Sequence, residues 1–188
     1  MVKLNRIYTR TGDDGSTGLA DGERRRKDNA RLQAIGGVDE ANAALGVVRL
    51  YSAGDAELDC VLQQVQNDLF DLGADLATPS DDIAWTPIRI RSPQVTALES
   101  ALDRYNDPMP PLKSFILPAG SALSAHLHLA RTIVRRAERD AVTLNAAETV
   151  NAEAMKYLNR LSDLLFVLAR YANTQGTGDV LWVPGGGG

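Results

Sequence analysis

The 188-residue sequence has little of several residue types on which many kinds of site depend. Its one cysteine, Cys60, excludes an internal disulfide, and its two histidines exclude a His-rich zinc site. It has no run of about 18 apolar residues that could span a bilayer. Residues 1–20 contain no apolar segment of the secretory type. We therefore expect a cytoplasmic protein without a membrane partner.

Lysine is also scarce, with 4 lysines against 16 arginines, and the formal net charge is −4. Nucleic-acid binding needs a dense positive field, so this charge argues against a nucleic-acid partner. Two interpretations of the arginine excess remain open. It reflects a GC-rich genome, which the 25 alanines also favour, or it supplies guanidinium groups that bind phosphates or buried carboxylates.

Strand-like alternation is nearly absent, whereas apolar residues recur at helical spacing in five segments. The composition, 44% hydrophobic and 23% charged, is that of one ordinary globular domain. We predict an all-α fold, a single-domain five-helix bundle, and disfavour the doubly wound nucleotide folds. Residues 1–28 form a loop region with a short turn or strand, 29–173 form the bundle and 174–188 form a tail. The predicted helices cover approximately residues 29–51, 56–77, 93–105, 121–144 and 150–173.

The segment from Thr9 to Gly18, TRTGDDGSTG, is polar and rich in glycine, and four basic residues follow at 24–27. Its backbone N–H groups could bind an anion, as phosphate nests do. It is not a Walker A motif, because no Lys-Ser or Lys-Thr follows the glycines, and no strand–helix unit surrounds it. A turn-rich loop exposed to solvent is the alternative, and the residues alone leave both open.

Charged residues form a narrow stripe on the fourth predicted helix, beside its apolar face. Arg131, Arg135 and Glu138 lie in the stripe, with His128 and Arg139 at its edge. Like charges four residues apart repel in water, so the first two arginines indicate a bound polyanion or partner carboxylates. The alternative is a surface ladder balanced by Glu138 and Asp140.

Ionic interactions between helices are predicted at two further places. Asp39 lies at the border of the apolar face of the first helix, where an unpaired carboxylate would be costly. Arg131 is a candidate partner for it. On the fifth helix, Asp163 and Arg170 favour an interhelical salt-bridge network over a ligand site.

Two residues are expected to be buried for packing reasons. Phe115 lies in a short proline-bounded segment of a sequence that has only three phenylalanines, and its simplest interpretation is a core side chain. Cys60 lies between helix-spaced apolar residues, which predicts an inert core position.

Five blocks of sequence, taken in order, resemble a known family. They are TRTGDDGSTGL at 9–19, Lys27 and Arg31 followed by GGVDEAN at 36–42, FILPAG at 115–120, HLARTIVRRAER at 128–139 and YLNRLSD at 157–163. From about residue 7 to residue 173, the chain resembles the PduO-type ATP:cob(I)alamin adenosyltransferases. Three residues differ from those that are common in this family, namely Gln33, Ala41 and Ala119. None of these differences removes a proposed contact.

The resemblance implies transfer of the 5′-deoxyadenosyl group of ATP to the cobalt of cob(I)alamin, which forms adenosylcobalamin and releases triphosphate. It also implies Mg²⁺, a homotrimer with active sites between subunits, a reductase and an adenosylcobalamin-dependent acceptor enzyme. No residue is implied as a metal ligand. The implied ATP-binding residues of the loop and the two long helices are Thr9, Arg10, Thr11, Gly12, Ser16, Thr17, Lys27, Arg135, Arg136, Glu138, Arg139 and Asn159.

Three residues receive catalytic roles by the same resemblance. Phe115 resembles the residue that fills the lower face of the corrin and displaces its axial ligand. Asp39 and Arg131 resemble an intersubunit ion pair near the corrinoid. The cobalt supplies the nucleophile in this chemistry, so the absence of an apparent Ser–His or Cys–His pair is consistent with it.

Two other hypotheses belong to different classes. A non-catalytic, ATP-responsive protein that carries or delivers a corrinoid would have the same loop and arginine stripe without turnover. A plain interaction bundle would use the stripes as salt bridges between helices and would not bind ATP.

Overall fold

The helical periodicity of the sequence corresponds to five helices in the computed structural model, which describes residues 7–79, 83–174, 176 and 178–186. The predicted five-helix bundle is confirmed, and each helix boundary lies within two residues of its predicted position. A small antiparallel hairpin precedes the bundle. In chain order the elements are β1 (Ser16–Gly18), β2 (Arg24–Arg26), α1 (Ala30–Arg49), α2 (Ala56–Leu76), α3 (Ser92–Asn106), α4 (Ala122–Asn145) and α5 (Ala152–Thr174).

Side-chain caps fix where three of the helices begin. Asn29 accepts a hydrogen bond from the backbone N–H of Arg31 at the start of α1 (2.9 Å). Asp55 caps α2 and Ser121 caps α4 in the same way. Each cap satisfies a backbone donor that the first helical turn leaves free. The sequence TPSDD at 78–82 is predicted to end the second helix, and residues 80–82 of it lie outside the described residues.

The core forms where α1 packs on α2 and α4, and where α5 packs on α3 and α4. Helices α1 and α4 are antiparallel, because Gln33 contacts Asp140 at one end and Tyr51 stacks on His126 at the other. At 1.5 Å per residue, α4 is about 36 Å long. The hairpin that precedes α1 therefore lies toward the C-terminal end of α4.

Two buried aspartates on α2 connect it to its neighbours, which the sequence analysis did not predict. Asp68 accepts a hydrogen bond from the hydroxyl of Tyr157 on α5 (3.0 Å), and burial raises the pKa of that tyrosine well above its usual value. Asp75 accepts bonds from the backbone of Ile90 (2.9 Å) and the amide of Asn151 (2.7 Å). Both carboxylates are stabilised because donors from other elements surround them.

One expectation about packing is wrong. Cys60 is exposed, because its position on α2 lies outside the face that Leu58 and Leu62 present to the core. Among the described residues, no helix is long and apolar enough to cross a membrane.

Candidate functional site

Side chains of the hairpin hold the glycine-rich loop in a defined conformation. Arg24 donates from Nη2 to the carbonyl oxygen of Thr11 (2.5 Å) and from Nε to the hydroxyl of Ser16 (3.1 Å). Lys27 donates from Nζ to the carbonyl oxygen of Gly12 (2.9 Å). These bonds occupy carbonyl oxygens and leave Thr9 and Thr11 exposed to solvent. The loop therefore presents hydroxyl groups and positive charge outward.

Three further features shape the same loop. A Cβ atom at Gly12 would lie 2.9 Å from the carbonyl oxygen of Ser16, so a side chain at this position would force the loop open. Asp14 accepts bonds from the backbone N–H (2.9 Å) and hydroxyl (2.7 Å) of Ser16, which lower the pKa of its carboxyl group. Arg10 has a positive φ of 62°, an uncommon conformation outside glycine.

The arginines of α4 differ in whether the chain itself provides a partner. Arg136 forms an ion pair with Glu40 of α1. Arg135 and Arg139 are exposed and have no ion pair within the described residues; Arg139 donates only to the backbone carbonyl of Arg135 (3.2 Å). The predicted ladder of surface salt bridges is therefore not present for these two residues. Their guanidinium groups remain available to a polyanion.

A polar chain connects α4 to α5 beside these arginines. The amide of Asn159 donates to Glu138 (3.0 Å), and its oxygen accepts from Arg160 (2.6 Å). Arg160 in turn pairs with Glu99 of α3 (2.9 Å). These contacts hold Asn159 and Glu138 in fixed orientations.

The predicted partnership of Asp39 with Arg131 is not formed within the chain. Asp39 is exposed and has no ion pair among the described residues, so the cost expected for an unpaired carboxylate at the border of the apolar face does not arise. Arg131 is half-buried, and its Nε atom is buried without a hydrogen-bond partner in the described part of the chain. Burial and the nearby charge of Arg135 lower the pKa of Arg131. This buried N–H donor would be satisfied by an acceptor from outside the chain.

Phe115 lies on the surface, and the expectation of a core side chain is wrong. Its side chain is 77% exposed and makes an edge-on contact with Trp182 of the tail, with 5.9 Å between ring centroids. Its carbonyl oxygen accepts a bond from the backbone of Trp182 (2.8 Å), and Leu117 donates to Val180 (2.7 Å). The tail thus pairs with the Phe115 segment as a short strand would.

The end of α5 anchors this segment. Asn173, which is 3% exposed, accepts from the backbone of Ser121 (3.0 Å) and donates to the carbonyl oxygen of Ala119 (3.1 Å). Gly120 between them has a φ of 113°, and a Cβ atom there would lie 2.1 Å from the Asn173 side chain. The aromatic ring of Phe115 is therefore exposed on a segment whose backbone is fixed by hydrogen bonds to Asn173 and to the tail.

The interhelical salt-bridge network predicted for Asp163 and Arg170 is also not formed among the described residues. Arg170 is buried and pairs with Asp179 of the tail (3.1 Å), and it donates to the carbonyl oxygen of Pro110 (2.9 Å). Asp163 is exposed with no ion pair among the described residues. The pairing differs because the tail folds back beside α5, which helix periodicity does not indicate.

The sequence analysis placed His128 only at the edge of the arginine stripe. The residue is 2% exposed, and neither ring nitrogen has a hydrogen-bond partner among the described residues. Its ring meets that of Phe166 edge-on at 6.0 Å. Burial, together with the nearby charge of Arg131, lowers the pKa of this histidine. The only indication of this buried histidine in the sequence was its position beside the apolar face of the helix.

One chain brings together only part of the predicted site. Residues of the loop lie at the N-terminal end of α1, and therefore toward the C-terminal end of α4. Phe115 precedes the N-terminus of α4, toward the opposite end of this helix. Arg135, Arg139 and Asn159 lie between these ends.

The residues of the loop do not form a ready-made metal site. No group of three or more His, Cys, Asp or Glu side chains that could hold a metal ion occurs among the described residues. Asp14 is engaged with Ser16, as described above. The donor groups of the described residues therefore do not fit a resident metal ion.

The chain is similar to known proteins over nearly its whole length. A family model described as cobalamin adenosyltransferase matches residues 7–172. The corrinoid adenosyltransferase of Mycobacterium tuberculosis (strain ATCC 25618 / H37Rv) is 55% identical over 188 residues, which cover 98% of this chain and 96% of that one. That of Bacillus subtilis (strain 168) is 41% identical, with 93% and 91% covered.

A solved structure is similar in fold as well. It is a variant PduO-type ATP:corrinoid adenosyltransferase from Lactobacillus reuteri complexed with cobalamin and ATP. The TM-score is 0.88 and the sequence identity 39%, and the alignment covers 94% of this chain and 99% of that chain.

Proposed function

Because the chain belongs to the cobalamin adenosyltransferase family, we propose that it transfers the 5′-deoxyadenosyl group of ATP to the cobalt of cob(I)alamin. The products are adenosylcobalamin and triphosphate. One observation carries the proposal: Arg135 and Arg139 expose guanidinium groups that no carboxylate of the described chain neutralises. Such groups suit a leaving group of high negative charge.

The loop and the two long helices bind ATP in this proposal. Hydroxyl and backbone groups of Thr9, Arg10, Thr11, Gly12, Ser16 and Thr17 surround the phosphates, together with Lys27. Arg135 and Arg139 stabilise the triphosphate as its charge develops, and Asn159 with Glu138 orients the nucleoside. Arg136 also belongs to this site, although its ion pair with Glu40 must loosen before it reaches a phosphate.

Mg²⁺ enters as part of the substrate, the Mg·ATP complex. Magnesium in nucleotide sites is held mostly by phosphates and water, with few protein ligands. This accords with a chain that has no cluster of acidic ligands among its described residues.

The corrinoid binds where Phe115 is exposed. The cobalt of cob(I)alamin is itself the nucleophile: it attacks the 5′ carbon of ATP, a cobalt–carbon bond forms, and the bond from that carbon to the triphosphate oxygen breaks. The protein aligns the two reactants, which lowers the barrier by several kcal/mol in favourable cases. An apolar ring below the corrin displaces the axial ligand, and the resulting four-coordinate Co(II) form is easier to reduce.

The active site is completed between subunits of a homotrimer. The loop and Phe115 lie toward opposite ends of α4 in one chain, so a neighbour's loop would complete the site beside Arg135. Arg131 has a buried Nε without a partner, and Asp39 is exposed. An ion pair between Arg131 of one subunit and Asp39 of the next would satisfy both residues.

Other proteins must supply one substrate and accept one product. Cob(I)alamin requires a reductase, and adenosylcobalamin is passed to an enzyme that depends on it. We place these reactions in the cytoplasm.

The test is an adenosylation assay with ATP and cob(I)alamin generated by a chemical reductant. We expect the absorbance change of cobalt–carbon bond formation and one triphosphate per turnover. Binding of both substrates without product would indicate the non-catalytic carrier instead. If Mg·ATP fails to raise the thermal unfolding temperature, the interaction bundle would be favoured.

A further inference from the structure

Glu148, in the turn between α4 and α5, joins three parts of the chain. Its Oε1 accepts a bond from Nη1 of Arg25 in β2 (2.7 Å). Its Oε2 accepts two bonds from Arg31 at the start of α1, from Nη2 (2.9 Å) and Nε (3.1 Å). Arg31 also donates from Nη1 to the carbonyl oxygen of Leu76, the last residue of α2. One carboxylate thus connects the hairpin to the ends of three helices.

The connection reaches the loop through the hairpin register. Arg25 lies opposite Thr17 in the β1–β2 pairing, and Arg24, its neighbour, bonds Thr11 and Ser16. A displacement of β2 therefore displaces the loop that is proposed to hold phosphates. A hydrogen bond from the backbone N–H of Ala20 to the carbonyl oxygen of Ala77 (3.0 Å) also links the hairpin region to the bundle. This bond lies at the end of the hairpin that is opposite to the loop.

The environment favours a strong link. Arg31 is 2% exposed, and the Glu148 side chain is 27% exposed, so water competes weakly for these bonds. Burial alone would raise the pKa of Glu148, but the bonds from Arg25 and Arg31 together hold that pKa below its usual value. The carboxylate is therefore ionised at neutral pH.

We propose that Glu148 is a positioning residue, which holds the hairpin against the bundle through Arg25 and so sets the conformation in which the residue 9–18 loop receives the phosphates of ATP. The inference rests on the proposed function, because it assigns ATP to that loop. Glu148 lies outside the residues to which the sequence analysis gave a role in catalysis or binding.

The experiment uses Arg25→Gln, which cuts the link to the hairpin but leaves the buried Arg31–Glu148 pair intact. Amide hydrogen exchange of residues 12–26 without ligand should become at least about tenfold faster. The dissociation constant for Mg·ATP should rise by about tenfold, while KM for the corrinoid stays within twofold. Glu148→Gln should produce at least the same changes, because it removes the bond to Arg25 together with the charge that pairs with Arg31. Addition of Arg25→Gln to it should have little further effect on the loop, because the link to the hairpin is already broken.

Glu57→Gln is the matched control, because it removes a carboxylate from the exposed pair with Arg104 (2.5 Å) on α2 and α3. It should leave loop exchange and ATP affinity unchanged. Unchanged loop exchange in Arg25→Gln would overturn the inference, and so would changes of equal size in the control. If the wild-type protein does not bind Mg·ATP, the proposed function fails; faster loop exchange in Arg25→Gln would then still support the mechanical link.

Discussion

At the scale of the residue, the side chains of greatest interest are those that lack a partner in a well-packed chain. Phe115 exposes most of its ring, although burial of an aromatic side chain is favourable by about 2 kcal/mol or more. Arg131 and His128 carry buried nitrogen atoms without hydrogen bonds. Each feature has a cost in the isolated chain, and a bound corrinoid or a neighbouring subunit would offset it.

Substitution of Phe115 should separate cobalt chemistry from nucleotide binding. We expect Phe115→Ala to lower kcat by at least about tenfold, equivalent to about 1.4 kcal/mol of barrier, because the corrin loses the apolar group below it. The dissociation constant for Mg·ATP, measured by calorimetry, should not change. Phe70→Ala removes another exposed phenylalanine, on α2, and should leave turnover intact. Equal turnover in Phe115→Ala and the wild type would contradict the assigned role.

His128 should make stability depend on pH. Burial lowers the pKa of its ring in the folded chain below the ordinary value of 6.5, so the unfolded chain takes up the proton first as the pH falls. Its contribution is therefore fully present above pH 6.5 and is lost as the pH falls from there through the folded pKa. The slope for one proton is at most about 1.4 kcal/mol per pH unit.

The measurement for His128 is urea unfolding at pH 8 and at pH 5.5. We expect His128→Gln to reduce the loss of stability between these values relative to the wild type. His126→Gln, on the outer side of the same helix, serves as the control. An identical pH dependence in wild type and His128→Gln would exclude this residue as the cause.

At the scale of the element, irregular segments rather than helices position the groups of the site. The hairpin holds the loop through Arg24 and Lys27, and the end of α5 holds the Phe115 segment through Asn173. The tail pairs with the same segment and is fixed in turn by the Arg170–Asp179 ion pair. The helices supply a stable frame, to which these short segments are attached by specific polar contacts.

Gly120 is the position where this attachment is most sensitive. Gly120→Ala would combine a positive φ with a Cβ atom 2.1 Å from the Asn173 side chain, so the segment or the asparagine must move. We expect a loss of about 1–3 kcal/mol in the free energy of unfolding. Denaturant unfolding measures it, with Gly73→Ala in α2 as the control, since no atom lies within 4 Å of its added Cβ. A stability equal to that of the wild type would show that the segment adapts freely.

At the scale of the whole molecule, the proposed homotrimer would complete the site between subunits. Helix α4 is about 36 Å long, and the loop and Phe115 lie toward its two ends. In a cyclic trimer, each interface joins different surfaces of two subunits, so one subunit's loop meets its neighbour's α4 three times. Arg135 and Lys27 of one site then belong to different chains.

Mixed trimers test this arrangement. We expect Lys27→Ala and Arg135→Ala each to abolish most activity alone, because each removes a cation that stabilises the triphosphate. Co-expressed with different tags and isolated as mixed trimers, they should recover about one third of wild-type activity, because each cyclic trimer that contains both variants has one interface in three that combines two intact halves. Activity that stays at the level of the single variants would place both residues within one chain's site.

The helices and the family could be predicted from the sequence alone. The residues assigned to the site remain predictions. Apolar spacing of 3.6 residues is a local property of the chain, so helix boundaries were predicted to within two residues. The glycine-rich loop and the arginine stripe were recognisable for the same reason, because a motif is a local pattern.

Which of these residues have a hydrogen-bond or ion-pair partner depends on the tertiary structure. Phe115 and Cys60 are exposed, Arg170 pairs with Asp179 of the tail, and Glu148 joins the hairpin to the bundle. Such contacts bring together residues from distant parts of the chain or from its irregular segments, and hydrophobic periodicity carries no information about them. Exposure likewise depends on which face another element covers. The physical reason is that local pattern sets the conformation of a segment, whereas packing of all segments sets the neighbours of each side chain.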